Sequence, residues 1–597
     1  MRKISEVLLV IIAIIFLLTV SVQSAAGTKP ISEQLNVKTL IPTPQSPLIN
    51  KDTNINAISL NDNADIYQYD NPGSIVFMYV TIRRGNPSDD SDHTWQEVND
   101  FTKYFETDVF ANPPAKAEVI VQIGDENGPL PGELGYGEIV PNATIQVRGS
   151  STTRAKQKSY KIELLSRAGE WRGQTTIALN KHPYDLTRVR NKLCYDLIKQ
   201  IPHMISLRTQ FVNLFVKDET TTYPASAFQD YGLFTQVEQP NRKFLENHLL
   251  DRNGQLYKVT NFEFYRHPEQ IRLADDPLFN ELAFSRILEI KGNRDHSKLI
   301  EMLDRVNDWA IPIEQTFEKY FDDDNYFTWL AFNILIGNID TQSQNFYLYS
   351  PQNGDKWYFI SWDFDGALDR QTRTHFSRTP YSGWENGISN YWGVVLHQRV
   401  LRVEKYRKIL DEKINELHGL LTTDLIRQML AVYQPVVDEY TRKMPDLLFL
   451  GGTPADHALA YSFIPAEIQL NYDLYQESIK KPMPFYLGIP EVIDDKIKFI
   501  WDEAYDLKAQ NINYHFQVST RLEFTSLVAE QTITNITSIQ IPKLKPGTYF
   551  WRVIATNEDG KTQLSFDSYR DTNGIRHPGI RYFYIDSQGR VLEQPAQ

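Results

Sequence analysis

The sequence predicts an α+β main domain, strand-rich and then helix-rich, followed by a separate all-β module. Three observations carry that reading. Runs rich in β-branched and aromatic residues recur between residues 75 and 238, apolar residues fall at helical spacing from 278 to 442, and short alternating runs return after 496. Strands gathered ahead of helices, instead of alternating with them, favour an α+β arrangement.

At 597 residues the chain is too long for one ordinary domain. Apolar residues at 41% and aromatics at 12% are enough for large cores and argue against disorder. A formal charge of −13 argues against nucleic acid as a partner, because phosphate backbones demand a basic surface. Residues 1–26 read as a secretory signal: Arg2 and Lys3, an apolar run from Val7 to Val20, then small residues at Ser24, Ala25 and Ala26. The run is short for a span of about 20 residues, and an uncleaved anchor is the alternative. Only in that case is the membrane a partner. Either way the body is expected to be secreted or held at the cell surface. Cys194 is the single cysteine, so no intrachain disulfide is available, and a large exported chain built this way points to a bacterial source. The residues carry no signal for oligomeric state.

Residues 27–71 are rich in Pro, Asn, Asp and Ser and read as a linker or loosely packed lead-in. The main domain is expected over 72–480. It opens on a buried strand at 75–82, with another at 119–123. Gly128, Gly132, Gly135 and Gly137 fit no G-x-G-x-x-G spacing and read as turn glycines. Strands at 145–148 and 159–164 flank a polar turn of Gly149, Ser150, Ser151 and Thr152. Asp185 is the expected N-cap of a helix reaching residue 198, in which Val189, Leu193 and Leu197 repeat every four residues. Strand-like stretches at 208–216 and 231–238 come next. The pattern turns helical over 279–289, 296–307 and 326–338, and again over 392–403, 406–420 and 424–442.

The helix ending near Asn338 runs into the stretch with the densest polar chemistry. Asp340 and Asn345 stand five residues apart; Phe346 and Leu348, a turn through Pro351 and Gly354, and the alternation of Trp357, Phe359 and Ser361 predict a hairpin. That hairpin brings Asp363 and Asp365 back beside Asn345. Carboxylate and amide oxygens with no His or Cys among them suit a hard cation such as Mg²⁺. In phosphoryl transfer one Asp orients the attacking hydroxyl while an Asn and a second Asp hold the metal.

The order D-x4-N, hairpin, Asp is that of the protein-kinase catalytic loop and its metal-binding Asp. Here Asn338 and Ile339 replace the usual His-Arg, and Asp363, Phe364, Asp365 and Gly366 replace Asp-Phe-Gly. The pattern resembles the spore coat protein H (CotH) kinase family, atypical kinases with an Asp, an Asn and a Trp-Asp-x-Asp after a short hairpin. Residues 148–160, RGSSTTRAKQKSY, are similar to the family's Arg-Gly-x-Ser…Lys-Ser-Tyr segment. Arg190 to Leu193 resemble its Arg-Asn-Lys-Leu helix, and the stretch ending at Glu238, with Leu256, Tyr257 and Lys258 beyond it, resembles its later succession.

The resemblance implies a two-lobed, atypical protein-kinase-like domain using ATP and Mg²⁺, with Mn²⁺ or Ca²⁺ as alternatives. Asp340 becomes the catalytic residue that orients the acceptor hydroxyl. Asn345 and Asp363 become metal ligands, with Asp365 a second candidate. Lys158, with Lys161 in reserve, is the expected contact to the nucleotide phosphates, because an ammonium is a compact charge. Arg148 is a further phosphate contact. Glu238 is expected to line the nucleotide pocket or pair with its lysine, while Arg188, Arg190 and Asn191 are structural, Arg190 being also a candidate partner for phosphate or carboxylate.

Past Pro482 and Pro484 the final module is expected over 487–597. Its strands at 496–501, 513–519, 538–541 and 548–556 are short and alternating, and residues 544–553 resemble a fibronectin type III module. Such modules space or attach extracellular enzymes, so no catalysis is assigned to it. The function expected of the whole is an exported kinase acting on Ser or Thr of an envelope, coat or secreted protein. Nucleotidyl or glutamyl transfer stays open as a variant. The alternative from another class is a noncatalytic surface adhesin or assembly scaffold that keeps the fold.

Overall fold

A computed structural model describes residues 60–103, 113–377 and 381–593. The signal-like segment and most of the lead-in lie outside the described residues. Among the described residues no helix is long and apolar enough to cross a membrane.

The first lobe is built from β1 (Ile75–Arg83), β2 (Lys116–Asp125), β3 (Gly128–Pro129), β4 (Ala143–Arg148), β5 (Ser159–Leu164), β6 (Thr176–Asn180), β7 (Thr209–Asp218) and β8 (Gln229–Glu238). Their order is β1-β7-β8-β6-β5-β4-β2-β3, and β1 also pairs with β2, from Phe77 opposite Gly124 to Arg83 opposite Glu118. Seven strands thus close on themselves, which removes the exposed edges of an open sheet. The alternation in β4, where Ala143, Ile145 and Val147 are buried and their neighbours are not, sends apolar side chains inward to meet Met78, Val80 and Ile162. Arg148 is the last residue of β4 and pairs with Ser159 at the start of β5, so the Gly149 turn is held at one end of the barrel.

The second lobe is helical and encloses a four-stranded sheet, β10-β9-β11-β12, made of β9 (Gln255–Val259), β10 (Leu288–Ile290), β11 (Phe346–Ser350) and β12 (Tyr358–Ser361). At its centre the helix Asp323–Leu335 is mostly apolar from Tyr326 onward and is buried on every side there. Asp322 caps it by accepting from Asn325 N at 2.8 Å, and Gly337, at φ 64°, ends it. A Cβ at Gly337 would come within 2.7 Å of Asn471 Nδ2, so chirality and space both demand glycine there.

Several expectations are corrected. The helical pattern over 279–289 resolves into a short helix, Glu281–Ser285, and strand β10, because Leu288 and Ile290 pair with Val259 and Tyr257. The helix after Asp185 begins only at Arg190, with Val189 at the N-cap position; the Asp185 carboxylate closes the preceding turn by accepting from Thr187 N and also accepts from Arg190 N, the first N–H of the helix. The lead-in stops being loose at Leu60, which is 1% exposed, and Asp62 reaches into the domain to accept from Ser206 N at 3.0 Å. The 25-residue helix Pro454–Ser478 has no single apolar stripe and carries Pro465 in its interior, which hid it from a periodicity reading.

The C-terminal module is all-β. Strands Glu491–Ile493, Lys496–Ile500 and Ser538–Pro542 form one antiparallel sheet, and Asn513–Ser519 and Gly547–Thr556 lie at the centre of the other. Phe499, Phe516, Trp551 and Phe583 fill the space between them, which makes a β sandwich.

Candidate active site

A cleft of about 310 Å³ opens where the Gly149 turn faces the β11–β12 hairpin. On the helical side it is lined by Asp340, Asn345, Asp363 and Asp365, and on the barrel side by Arg148 and the Gly149 to Thr152 turn.

The hairpin aligns Phe346 with Ser361, and Trp362 N donates to Asn345 O at 3.2 Å, so Asn345 and Asp363 emerge side by side from the open end of the ladder. Both have left-handed backbones, at φ 60° and 59°. Asn and Asp tolerate that region better than other side chains, and such conformations gather at functional sites. The helix Arg190–Ile198 holds the returning segment: Asp363 N donates to Tyr195 Oη at 3.2 Å and Phe364 N to Asn191 Oδ1 at 3.3 Å. Arg190 fixes the chain just beyond Gly366, pairing with Asp185 at 2.8 Å and Asp369 at 3.0 Å and donating to Leu368 O. Its charged partners are therefore the carboxylates of Asp185 and Asp369.

Electrostatics sets this cluster apart from an ordinary hairpin turn. Burial pushes the Asp363 carboxyl upward, opposed first by Arg148 and then by Lys258. Asp365 is pushed well above the usual carboxylate range, by the charge of Asp363 and then by burial. Asp340 stays open to the cleft, yet the surrounding walls exclude enough bulk water to raise its carboxyl, and Asp363 raises it further. Carboxylates crowded in this way remain ionised together only with added positive charge. Among the described residues no group of three or more His, Cys, Asp or Glu is gathered closely enough to hold a metal alone. A cation that takes one or two carboxylates, an amide oxygen and substrate phosphates needs no such group. An all-oxygen donor set including Asn345 fits it.

Two expected contacts lie elsewhere. Lys158 does not line the cleft: it stands in the loop before β5, and its ammonium turns back to donate to Thr153 O and Phe101 O. Lys161, the reserve, pairs with Glu163 at 3.1 Å on the barrel surface. Glu238 is buried away from the cleft, between Arg208 Nε at 3.1 Å and His248 Nε2 at 3.1 Å. Its role is to balance two cations. The cations that do reach Asp363 are Arg148, whose guanidinium lies 5.5 Å from the Trp362 ring, and Lys258. Lys258 sits on β9 opposite Tyr347, two residues past Asn345, and is paired with Glu289 at 3.0 Å. The sequence held only the Leu-Tyr-Lys string as a hint, since the β9–β11 pairing joins segments far apart in the chain.

The family model for the CotH kinase protein matches residues 145–447, about half of the chain. The chain belongs to the CotH kinase family. The matched span begins in β4, just before Arg148, and ends ahead of the helix Pro454–Ser478, so it contains every residue of the cleft. No curated protein shows a significant match to the chain. The CotH assignment places the protein among kinase-fold proteins, for which ATP and a divalent metal are the general expectation.

Proposed function

We propose that the CotH cleft transfers the γ-phosphoryl group of ATP to a Ser or Thr hydroxyl of an envelope, coat or secreted protein. The observation that carries this reading is the convergence of Asp340, Asn345 and Asp363 opposite Arg148 and the Gly149 turn. Asp340 orients the acceptor hydroxyl and receives its proton; an upward-shifted carboxyl is the better base for that task. Asn345 and Asp363 would hold the divalent cation, with Asp365 the further ligand. That cation, when bound, neutralises charge developing on the phosphoryl oxygens. Arg148 and the backbone of the Gly149 turn face the phosphates, and Lys258, braced by Glu289, adds positive charge beside Asp363. The signal-like N-terminus supports an acceptor outside the cytoplasm.

The test uses the purified protein with γ-labelled ATP, Mg²⁺ and a Ser-rich acceptor. Label should move to the acceptor, and ATP with Mg²⁺ at about 100 times its Kd should stabilise the fold by roughly 2.7 kcal/mol. Neither label nor stabilisation with Mg²⁺, Mn²⁺ or Ca²⁺ would overturn the proposal in favour of a scaffold. Label from α-labelled ATP in place of the γ label would redirect it to nucleotidyl transfer.

Gly149→Ala supplies a sharper test of the turn. Gly149 sits at φ 103°, and a Cβ there would lie 2.0 Å from Thr152 Oγ1. The turn must shift away from its phosphate-facing shape, so ATP affinity is expected to fall by about tenfold or more, since the misfit is on the order of 1–3 kcal/mol. Calorimetric titration reads this directly, and an affinity within twofold of the parent would exclude the turn from nucleotide binding.

A further inference from the structure

Asp340 is braced on both sides by one loop. Asn390 Nδ2 donates to Ile339 O at 3.1 Å, and Tyr391 Oη shares a hydrogen bond with Thr341 Oγ1 at 2.8 Å. These two residues close the 3-10 helix Gly387–Tyr391, the far end of a loop that starts at Tyr381. At the near end the Tyr381 ring lies 4.1 Å from the Arg370 guanidinium and 4.4 Å from that of Arg373, and the charge of Arg373 reaches Asp340. The loop thus backs the segment that carries Asp340, holding the residues on either side of it without itself lining the cleft.

Glu385 stands at the middle of this loop and is 4% exposed. Its Oε2 accepts from Ser382 N, and its backbone carbonyl accepts from Arg370 Nη2. Its Oε1 meets Arg576 Nη1 at 2.6 Å. Arg576 belongs to the C-terminal β module, in the strand Arg576–Pro578. A carboxylate this deeply buried requires a cation, and Arg576 provides the direct ion pair, while the Arg370 guanidinium donates to the Glu385 backbone carbonyl and to Asn471 Oδ1. Aromatic contacts hold the module in place around this pair. Trp384, next to Glu385, meets Phe566 edge-on at 5.1 Å, and Trp392 stacks on Tyr505 at 5.4 Å. Phe566 and Tyr505 both pack against the core of the helical lobe, so the module is seated on the domain and not strung from it.

We propose that the C-terminal β module is a working part of the transfer unit: Arg576, acting through Glu385, fixes the 381–391 loop against Asp340 and so sets where the acceptor hydroxyl is held. Arg576 is a positioning residue, since its partner is Glu385 and it does not line the nucleotide cleft. The inference rests on the phosphoryl-transfer reading, but the order of the loop can be measured without it.

The experiment compares full-length Arg576→Ala, Arg576→Lys and Glu385→Gln with the parent, by amide hydrogen exchange and by steady-state kinetics on the Ser-rich acceptor. Losing the pair should speed exchange across 381–391 by about tenfold in Arg576→Ala and Glu385→Gln, while Arg576→Lys, which keeps the charge, stays near the parent. KM for the acceptor should rise by about tenfold in the same two variants, with ATP affinity within about twofold of the parent, as expected when binding geometry is lost on one side of the site only. The double variant should be no worse than either single one. Unchanged exchange together with unchanged acceptor kinetics would reduce the module to a spacer and overturn the proposal. Equal loss of ATP affinity and acceptor affinity would show a general structural role and overturn it too. If the parent transfers no phosphate, the kinase reading fails, and the exchange pattern alone decides whether the clamp exists. If Arg576→Ala does not fold, Glu385→Gln, which keeps an acceptor for Ser382 N, reads the same pair from its other side.

Discussion

Asp363→Asn is expected to slow phosphoryl transfer by on the order of 10³-fold or more while leaving the protein at least as heat-stable as the parent. A divalent cation contributes several kcal/mol of charge stabilisation in the transition state, and each 1.4 kcal/mol or so is tenfold in rate. Removing a carboxylate that would hold the cation beside Asn345 forfeits much of that. Asn is the informative replacement because it keeps the left-handed backbone at φ 59°, and with it the hydrogen bonds of Asp363 N to Tyr195 Oη and of Asp363 O to Asn338 Nδ2. Stability is expected to hold because the charge of Asp363 is the main cause of the upward push on Asp365 and the second cause of that on Asp340. Neutralising it relieves repulsion in the metal-free protein. Initial rates with labelled ATP and a melting curve without ligand test the two halves together. A rate within tenfold of the parent would remove Asp363 from the metal site, and a marked drop in melting temperature would show that it is structural.

Legibility in the sequence divides along contact range. The hairpin is legible because its strands alternate with period two and its turn is local, so the return of Asp363 and Asp365 to Asn345 comes from counting residues. Arg148 is legible as the end of a strand beside a glycine turn. Lys158 is misplaced by such a reading because it stands one residue before β5, where strand parity no longer fixes direction, and the Phe101 and Thr153 carbonyls capture its ammonium. Glu238 is misplaced because its environment is assembled from distant segments: Arg208 across the β7–β8 ladder, His248 after a helix, and Asp62 beyond them in the lead-in. The Arg576–Glu385 pair joins residues 191 apart, and no local pattern announces it. The closed form of the first sheet is equally hidden, since β1 and β2 are ordinary strands whose pairing completes a ring only once β7 has also paired with β1.

The buried cluster around His248 should dominate the stability of the first lobe and give it a definite pH signature. Both ring nitrogens of His248 face carboxylates, Nδ1 at 2.6 Å from Asp62 and Nε2 at 3.1 Å from Glu238, so the ring is held as an imidazolium. Burial lowers its pKa, but the two carboxylates outweigh burial and raise it to about 9. Glu238 is held down to about 2, with His248 and Arg208 outweighing its own burial. A raised histidine contributes stability that is fully present below its unfolded value near 6.5 and is lost as pH climbs through 9; a lowered glutamate contributes stability that is present above 4.5 and lost as pH falls through 2. The cluster is therefore strongest between about pH 4.5 and 6.5. His248→Gln leaves Glu238 and Asp62 facing a neutral amide, and breaking a buried charge arrangement of this kind costs roughly 3–5 kcal/mol. The gap in melting temperature between parent and variant should be widest near pH 6 and should shrink as pH rises to about 10. The gap is the quantity to track, because Lys181, pushed down to about 8 by burial beside Asp446, titrates in the same window with the opposite sign in both proteins. A gap that stays constant from about pH 6 to 10 would mean that the ring is neutral in the folded protein. Because Asp62 lies in the segment that precedes β1, the same variant is also expected to loosen residues 60–71 from the domain. Faster proteolysis at that segment, with the rest of the chain intact, would separate the docking of the lead-in from the stability of the barrel.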